Sequence, residues 1–420
     1  MNARGDLLPL QGLVRTFATW LVILIGFSVP IAVALDNILL ALVLLLAFAS
    51  MGSIARITME HPVARAAMLL FAMLLLAMAY GETPFPGAFA LLGKYVDLMF
   101  VPIFMLFLAE ERNQRRARYA FLLAMAVTLF LSCMVRFGWM PVMSWMNQYT
   151  SPANPFIFHS HITQNNFMAL AVFMALLEAR ETSTMRSRIG WSLFAVLAAI
   201  NVLFMVQGRT GYLILLALLG WFAWSTLARH RHALGKAWDW RHGLAILAGM
   251  AALGLVAYHT STRLHDRVAQ VIAEYQAWSP GQGRATSTGQ RLDFYYNTIQ
   301  IVRDHPLTGV GSGGFPEAFK QQVQGTDVLL TNNPHNEYLL ITVQTGLLGL
   351  ALLLYLFYTQ WRCAGHLRSA LEQDAARGLV LAYLVNCMLN SALHDHADGL
   401  FFAFMTAALF AGLKREAQHG

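Results

Sequence analysis

The chain has 420 residues, 57% of them hydrophobic and 12% charged, with a formal net charge of +7. Soluble domains carry roughly 25% charged residues, and the apolar residues here gather into runs of about 17 to 22, enough for a helix to cross a bilayer. This excludes a soluble enzyme. The even apolarity of the runs also excludes the alternating strands of a membrane barrel, which leaves a polytopic helical protein whose backbone polar groups pair internally.

In chain order the predicted spans are 14–34, 37–52, 64–80, 92–109, 119–138, 162–178, 188–206, 211–228, 241–259, 337–358, 376–393 and 399–413. The least regular is 92–109, "LGKYVDLMFVPIFMLFLA", where Lys94 and Asp97 sit near the outer end and Pro102 interrupts the run. The first span is too long, and lacks the small-residue cleavage site, to be a removable signal peptide. Internal repeats and low-complexity tails are not evident. The expectation is an all-α membrane domain over 1–420, with about twelve transmembrane helices and a large helical loop, 260–336, inserted between spans 9 and 10.

Charge sets the orientation. With the N-terminus inside, Arg4, Arg15, Arg56, Arg65, the "EERNQRRAR" turn, Arg180, Arg186, Arg188, "ARHRHALGKAWDWR", Arg362, Arg368, Arg377, Lys414 and Arg415 are cytoplasmic. That is 20 of the 29 Lys and Arg, as the positive-inside rule requires of short loops. The positive net charge therefore reports orientation and calls for no nucleic-acid partner. Both termini are predicted inside and 260–336 outside.

Outer basic residues are Lys94, Arg136, Arg209, Arg263, Arg267, Arg284, Arg291, Arg303 and Lys320. Most lie in the outer loop, whose length of about 75 residues far exceeds an ordinary structureless connection. Its pattern reads as a helical cap. "RLHDRVAQVIAEYQAW" is one amphipathic stretch, and "TGQRLDFYYNTIQIVRDHP" is a second, with Ser287 or Thr288 to cap it and Pro306 to stop it. "PEAFKQQV" opens a third on Pro316. Between the last two, "GVGSGGF" reads as a tight turn in preference to a ligand loop, since no strand precedes it as a nucleotide fingerprint requires.

Arg209 lies in "VQGRTGY", an outer turn with no carboxylate nearby in sequence. Arg291 starts a helix of the cap, and His335 follows Pro334 in "TNNPHNEYLLI", where Asn333 is a candidate cap for the tenth span. Each has a bland alternative: outer arginines snorkel to headgroups, and a histidine in the first turn of a span can be merely interfacial. Arg263, Arg267 and Arg303 read as surface pairs of Asp266, Glu274 and Asp304. Gln164, Asn165 and Asn166 of the sixth span can touch substrate or bond between helices. "HDHADG", 394–399, looks like metal ligands, yet His394 and His396 lack the further ligands a site needs, so no metal is expected. Cys133 and Cys387 fall in spans and Cys363 in an inner loop, so no disulfide framework braces the cap.

"QGRTG" in an outer turn, a large outer loop with "GQRLDFYYNTIQIVRDHPLTGVGSGGF", and "PHNEYL" leading into a span together resemble the O-antigen ligase and polymerase superfamily. In the order and spacing of Arg, Arg and His the chain most resembles the O-antigen ligases of Gram-negative bacteria. The resemblance implies a fold similar to C-type glycosyltransferases in the inner membrane, with a periplasmic active site. It implies transfer of O-antigen glycan from undecaprenyl diphosphate to a sugar of the lipid A-core, without nucleotide, cofactor or metal. Carried over residue by residue, the diphosphate-binding arginines fall on Arg209 and Arg291, and the essential histidine on His335. A late acidic residue falls on Asp395, with Asp398 almost as well placed. Asn336 and Tyr338 of "PHNEYL" are supporting candidates.

The chemistry is coherent on its own terms. Two guanidiniums can stabilise charge growing on a leaving diphosphate through forked hydrogen bonds. A histidine has an ordinary pKa of about 6.5, and a helix N-terminus favours its neutral form, the form a general base needs. One base opposite one leaving group predicts inversion at the anomeric carbon. An O-antigen polymerase or a protein O-oligosaccharyltransferase would use the same donor chemistry. A transporter or flippase also has about twelve spans, but usually carries ionisable groups at membrane depth, whereas the polar residues here crowd the outer face.

Overall fold

The computed structural model describes residues 3–81, 83–233, 240–260, 262–282 and 286–413; Arg284, Lys414, Arg415 and the 234–239 part of the basic inner segment lie outside them. Regular structure among the described residues is helical. α1 (Ala3–Ser28) and α2 (Val33–Phe48) form a hairpin, and α3 (Met51–Glu60) leaves α2 at 96°. α4 (Pro62–Leu76) follows. The run that holds Lys94, Asp97 and Pro102 is not one straight span: α5 (Phe85–Lys94), a 3-10 turn (Val96–Met99) and α6 (Phe100–Phe107) bend by 53°.

Then come α7 (Glu111–Arg136), α8 (His161–Glu181), α9 (Met185–Ile200) with a closing π turn (Asn201–Met205), α10 (Arg209–Ala233) and α11 (Trp240–Thr260). The insertion holds α12 (Thr262–Gln276), α13 (Ser287–Asp304) and α14 (Phe315–Gln322). α15 (Glu337–Ala364), α16 (Ala370–Leu389) and α17 (His396–Phe410) complete the chain.

The centre of the bundle is α8 and α17, whose side chains are buried almost continuously from Thr163 to Ala175 and from Ala397 to Phe410. α9 and α10 turn Leu193, Val196, Phe204, Leu213 and Leu216 outward, as lipid-facing helices do. Among the described residues five helices are long and apolar enough to cross a membrane, or seven with each bent pair taken as one span. The protein is thus an all-α, multi-pass membrane protein. All twelve predicted runs lie on helices, but several fall short of the test for plain reasons. α4 and α17 have 15 residues each, about 23 Å at 1.5 Å per residue against a hydrocarbon core of about 30 Å. α16 opens on Glu372, Asp374 and Arg377, charges that lower its hydropathy.

The insertion is stitched to the bundle. Phe294, Ile301, Phe315, Phe319, Val323 and Val328 share one cluster with Leu340 and Val343 of α15. α15 is broken at Gly346, whose φ of 67° is in the left-handed region that only glycine enters without strain. Segment 306–314 fills the break. Leu347 N–H donates to the Pro306 carbonyl (2.9 Å), while the carbonyls of Val343 and Gln344 accept from Val310 N–H (2.8 Å) and Gly311 N–H (3.0 Å). Ser312 reaches α4 through Ala77 O (3.1 Å) and Leu74 O (2.6 Å). The "GVGSGGF" amides at 310–312 are therefore spent on the broken helix and on α4, which supports the turn reading over a ligand loop.

Candidate active site

Three elements meet where the insertion joins the bundle. The turn before α10 lies against α8: a Cβ on Gly208 would stand 2.7 Å from Asn165 Cβ, so the close approach requires glycine. Asn165 Nδ2 donates to the carbonyls of Val206 (3.2 Å) and Gly208 (3.1 Å). Of the three polar residues flagged in the sixth span, Asn165 thus bonds between segments of the bundle, and Gln164 Oε1 accepts Ile157 N–H at 2.7 Å. The anchored turn presents Arg209, exposed, as the first residue of α10.

Arg291 sits one turn into α13. The cap of that helix is Thr286, which accepts Gly289 N–H at 3.2 Å, not Ser287 or Thr288 as predicted, because the helix already includes both. One turn beyond Arg291, the Tyr295 hydroxyl points at two carbonyls, His335 O (3.2 Å) and Met388 O (3.3 Å). Desolvation pushes the Tyr295 phenol above its ordinary pKa and the Arg291 charge pulls it back, so this tyrosine is a donor at any physiological pH.

His335 has φ 55°, the one positive value on a non-glycine residue among those described. Such a conformation costs of order 1 to 3 kcal/mol and persists only where its surroundings enforce it. The enforcement is visible. His335 N–H donates to Asn333 Oδ1 at 2.8 Å, the same oxygen that takes the Ser391 hydroxyl at 2.6 Å, and the His335 carbonyl takes Tyr295. The exposed imidazole leans on Phe294, ring centres 6.1 Å apart. Desolvation, and after it the Arg291 charge, hold its pKa below the ordinary value, so it is neutral and able to accept a proton at neutral pH.

The cap of α15 also differs from expectation. The helix begins at Glu337, and Asn336 is its cap, accepting Leu339 N–H at 3.0 Å. Asn333 is displaced from that role because Pro334 and the left-handed His335 turn the chain before the helix starts. Asn336 Nδ2 donates to Met388 O (2.9 Å) and Tyr338 hydroxyl to Leu384 O (3.0 Å), so both supporting candidates tie α15 to α16. Asp395 caps α17 through Ala397 N–H (3.1 Å) and Asp398 N–H (3.3 Å).

The structure thus brings Arg291 and His335 into one electrostatic neighbourhood. Arg209 joins from the side, next to α12 and α13: Glu274 is held below its ordinary pKa first by a Thr288 hydrogen bond and last by the Arg209 charge. Among the described residues neither arginine has an ion-pair partner. Arg303, expected to pair with a carboxylate, instead donates to Gln300 Oε1 at 3.3 Å; the side chains of Arg263 and Arg267 lie outside those described.

The "HDHADG" residues diverge. His394 packs edge-on against Tyr95 at 5.9 Å, and burial, with the Lys94 charge, pushes it down to about 4. His396 Nδ1 faces Asp97 Oδ2 at 3.2 Å, and Asp398 accepts from Thr163 (3.2 Å) and Asn386 (2.9 Å). No group of three His, Cys, Asp or Glu that could hold a metal ion forms among the described residues.

Among the buried acids here, Asp36 escaped the sequence reading, and Asp97 entered it only as a charge near the outer end of its span. Glu337 is fully buried, with Oε1 accepting Tyr95 hydroxyl (2.7 Å) and Oε2 accepting Leu393 N–H (2.8 Å). Asp36, bonded to Ser28, and Asp97 are buried carboxylates near the same end. The available signal was a lone acid inside an apolar run, which by itself marks a functional or paired group.

Residues 193–354, which carry all three candidate groups, match the family model described as O-antigen ligase. An uncharacterised protein of Haemophilus influenzae is 28% identical over 119 residues, 27% of this chain, and the match covers 30% of that protein.

Proposed function

We propose that this chain, which belongs to the O-antigen ligase family, transfers O-antigen glycan from undecaprenyl diphosphate to a sugar hydroxyl of the lipid A-core. The observation that carries the proposal is His335, strained, exposed and held neutral beside Arg291, at the end of the bundle where Arg209 also emerges without an ion pair among the described residues. In the proposed step the acceptor hydroxyl oxygen attacks the anomeric carbon, the bond from that carbon to the diphosphate oxygen breaks, and the hydroxyl proton passes to the imidazole. Arg209 and Arg291 bind the diphosphate and stabilise the charge it gains. Attack opposite the leaving group inverts the anomeric carbon. Two guanidiniums take the part a divalent ion plays elsewhere, so the reaction is proposed to need none.

The same reading makes 1–420 a single domain of twelve spans in the inner membrane, with both termini cytoplasmic and 260–336 a periplasmic insertion. Purified protein in chelator, given lipid-linked donor and lipid A-core, should form ligated product. Loss of transfer in EDTA that a divalent ion restores would overturn the metal-free mechanism. In cells, deletion should leave unligated lipid A-core with long donor accumulating; shortened glycan instead would make the protein a polymerase, and unmodified acceptor protein an O-oligosaccharyltransferase.

A further inference from the structure

We infer that Asn390, at the end of α16, is a positioning residue that fixes the Arg209 turn and the His335 segment relative to each other; the inference rests on the function proposed above. Asn390 leaves the helix in an extended conformation, φ −146° and ψ 161°. Its Nδ2 lies 3.1 Å from Thr210 Oγ1 and 2.8 Å from Asn386 Oδ1, and donates to both. Its carbonyl accepts the N–H of Glu337 at 3.2 Å. One residue therefore grips the second residue of α10, which Arg209 opens, and the first of α15, which His335 precedes by two residues.

The polarity of this bridge is set from below. Asn386 Nδ2 is committed to the buried Asp398 carboxylate at 2.9 Å, which turns Asn386 Oδ1 toward Asn390. Asn390 must then present its amide N–H groups, and Thr210 Oγ1 is left to accept. Thr210 and Asn386 are each 3% exposed, so water does not compete for these bonds. The neighbours of Asn390 hold the other half of the site. Met388 O takes Asn336 and Tyr295, and Ser391 shares Asn333 Oδ1 with His335 N–H.

Without the Thr210 bond, the turn before α10 keeps its anchors to Asn165 and, through Gln207 N–H, to Asn154 Oδ1 (2.9 Å), but loses its tie to the end of α16, and the direction of Arg209 loosens. A misplacement of about 1 Å in a positioned group can cost about 10²-fold in rate.

The test uses the full-length protein in lipid nanodiscs with undecaprenyl-diphosphate-linked glycan and lipid A-core. Asn390→Ala and Thr210→Val should each lower kcat by about 10- to 100-fold, with the donor KM little changed and thermal stability near wild type. Because both act through one bond, the double variant should be no slower than the slower single. Wild-type kcat in Asn390→Ala, or losses that multiply in the double variant, would overturn the inference. If Asn390→Ala does not fold, Thr210→Val carries the test alone, and wild-type kcat in it has the same force. Full turnover in Arg209→Ala would sink the diphosphate assignment while leaving the coupling of 210 to 390 measurable, so the two readings fail separately.

Discussion

At the end of the bundle away from the insertion, Asp374 takes Arg180 at 2.7 Å and Arg229 at 2.6 Å, and Arg118 faces Glu372 at 3.5 Å. Arg377 lies over the rings of Trp221 (5.8 Å) and Trp361 (5.7 Å). At the insertion end, Arg209 and Arg291 have no ion pair among the described residues, and the Arg291 charge acts on Tyr295 and on a histidine, His335, whose pKa it helps hold below the ordinary value. Arg118, Arg180 and Arg229 are paired and Arg377 is stacked, whereas Arg209 and Arg291 are left available. A buried guanidinium must be paired, because an uncompensated charge in low dielectric is costly. An exposed one that is not paired keeps its forked donors for an anion that arrives later. The contrast shows pairs that hold helices together at one end, and it is the basis on which the other end is proposed to bind charge.

The comparison breaks most visibly through Asp374. Its side chain is 2% exposed, and Asp374→Ala leaves Arg229 without its carboxylate and Arg180 with only the more exposed Glu181 (3.0 Å). Removing one partner of a buried pair typically costs about 3 to 5 kcal/mol. Thermal unfolding in detergent should show that loss, while turnover per folded molecule stays near wild type. Unchanged stability would mean that the pairs at this end do not hold the helices, and the contrast would lose one side.

Arg209→Ala and Arg291→Ala reverse the pattern. Both residues are solvent-accessible, so folding should change little, but each removes a donor to the developing oxyanion, worth about 10² to 10³ in rate. Lysine should rescue only in part, since an ammonium has no planar fork. Steady-state transfer assays decide it, and full activity in both alanine variants would leave the diphosphate without its proposed partners.

How far all this could be read from the chain differs between the two ends. The apolar runs specify helices because hydrocarbon allows the backbone no other pairing, and the order of Arg209, Arg291 and His335 places them on one side by counting spans. What could not be read is anything joined across distance. Asp374 finds Arg180 and Arg229 at separations of 194 and 145 residues, and His396 finds Asp97 at 299. Segment 306–314 looks like a plain glycine turn until the break at Gly346 supplies groups for it to bond. Local capping also slipped, by three residues at α15 and by one or two at α13, because Pro334 and the strained His335 delay the helix in the first case and Thr286 precedes two equally plausible hydroxyls in the second.

His335→Ala should lose transfer by at least about 10², the lower end for general-base catalysis, while still binding lipid-linked donor. Glutamine should not rescue, since it accepts no proton near neutral pH. Binding by calorimetry and single-turnover rates separate the roles. A variant that fails to bind donor yet turns over whatever it binds at a normal rate would make His335 a phosphate ligand, and would move the search for a base to Asp395, Asp398 or Glu337.

The finest difference between the ends lies in the pH response of His335. Its pKa is lowered first by desolvation and then by the Arg291 charge, so transfer should fall on the acid side at a pH below the ordinary histidine value of about 6.5. Neutralising Arg291 removes a repulsion on the protonated imidazole, and the pKa must then rise toward that value. The sign is fixed by the charge: with Arg291→Gln, protonation of His335 begins at higher pH than in the wild type. An NMR titration of labelled histidine in the resting protein reads this without needing turnover, and the same titration in Asp374→Asn serves as the control, since that site is at the far end of the bundle. A resonance for His335 that titrates identically in Arg291→Gln and in the wild type would mean that the arginine does not reach the imidazole, and the insertion end would hold two separate features where one site is proposed.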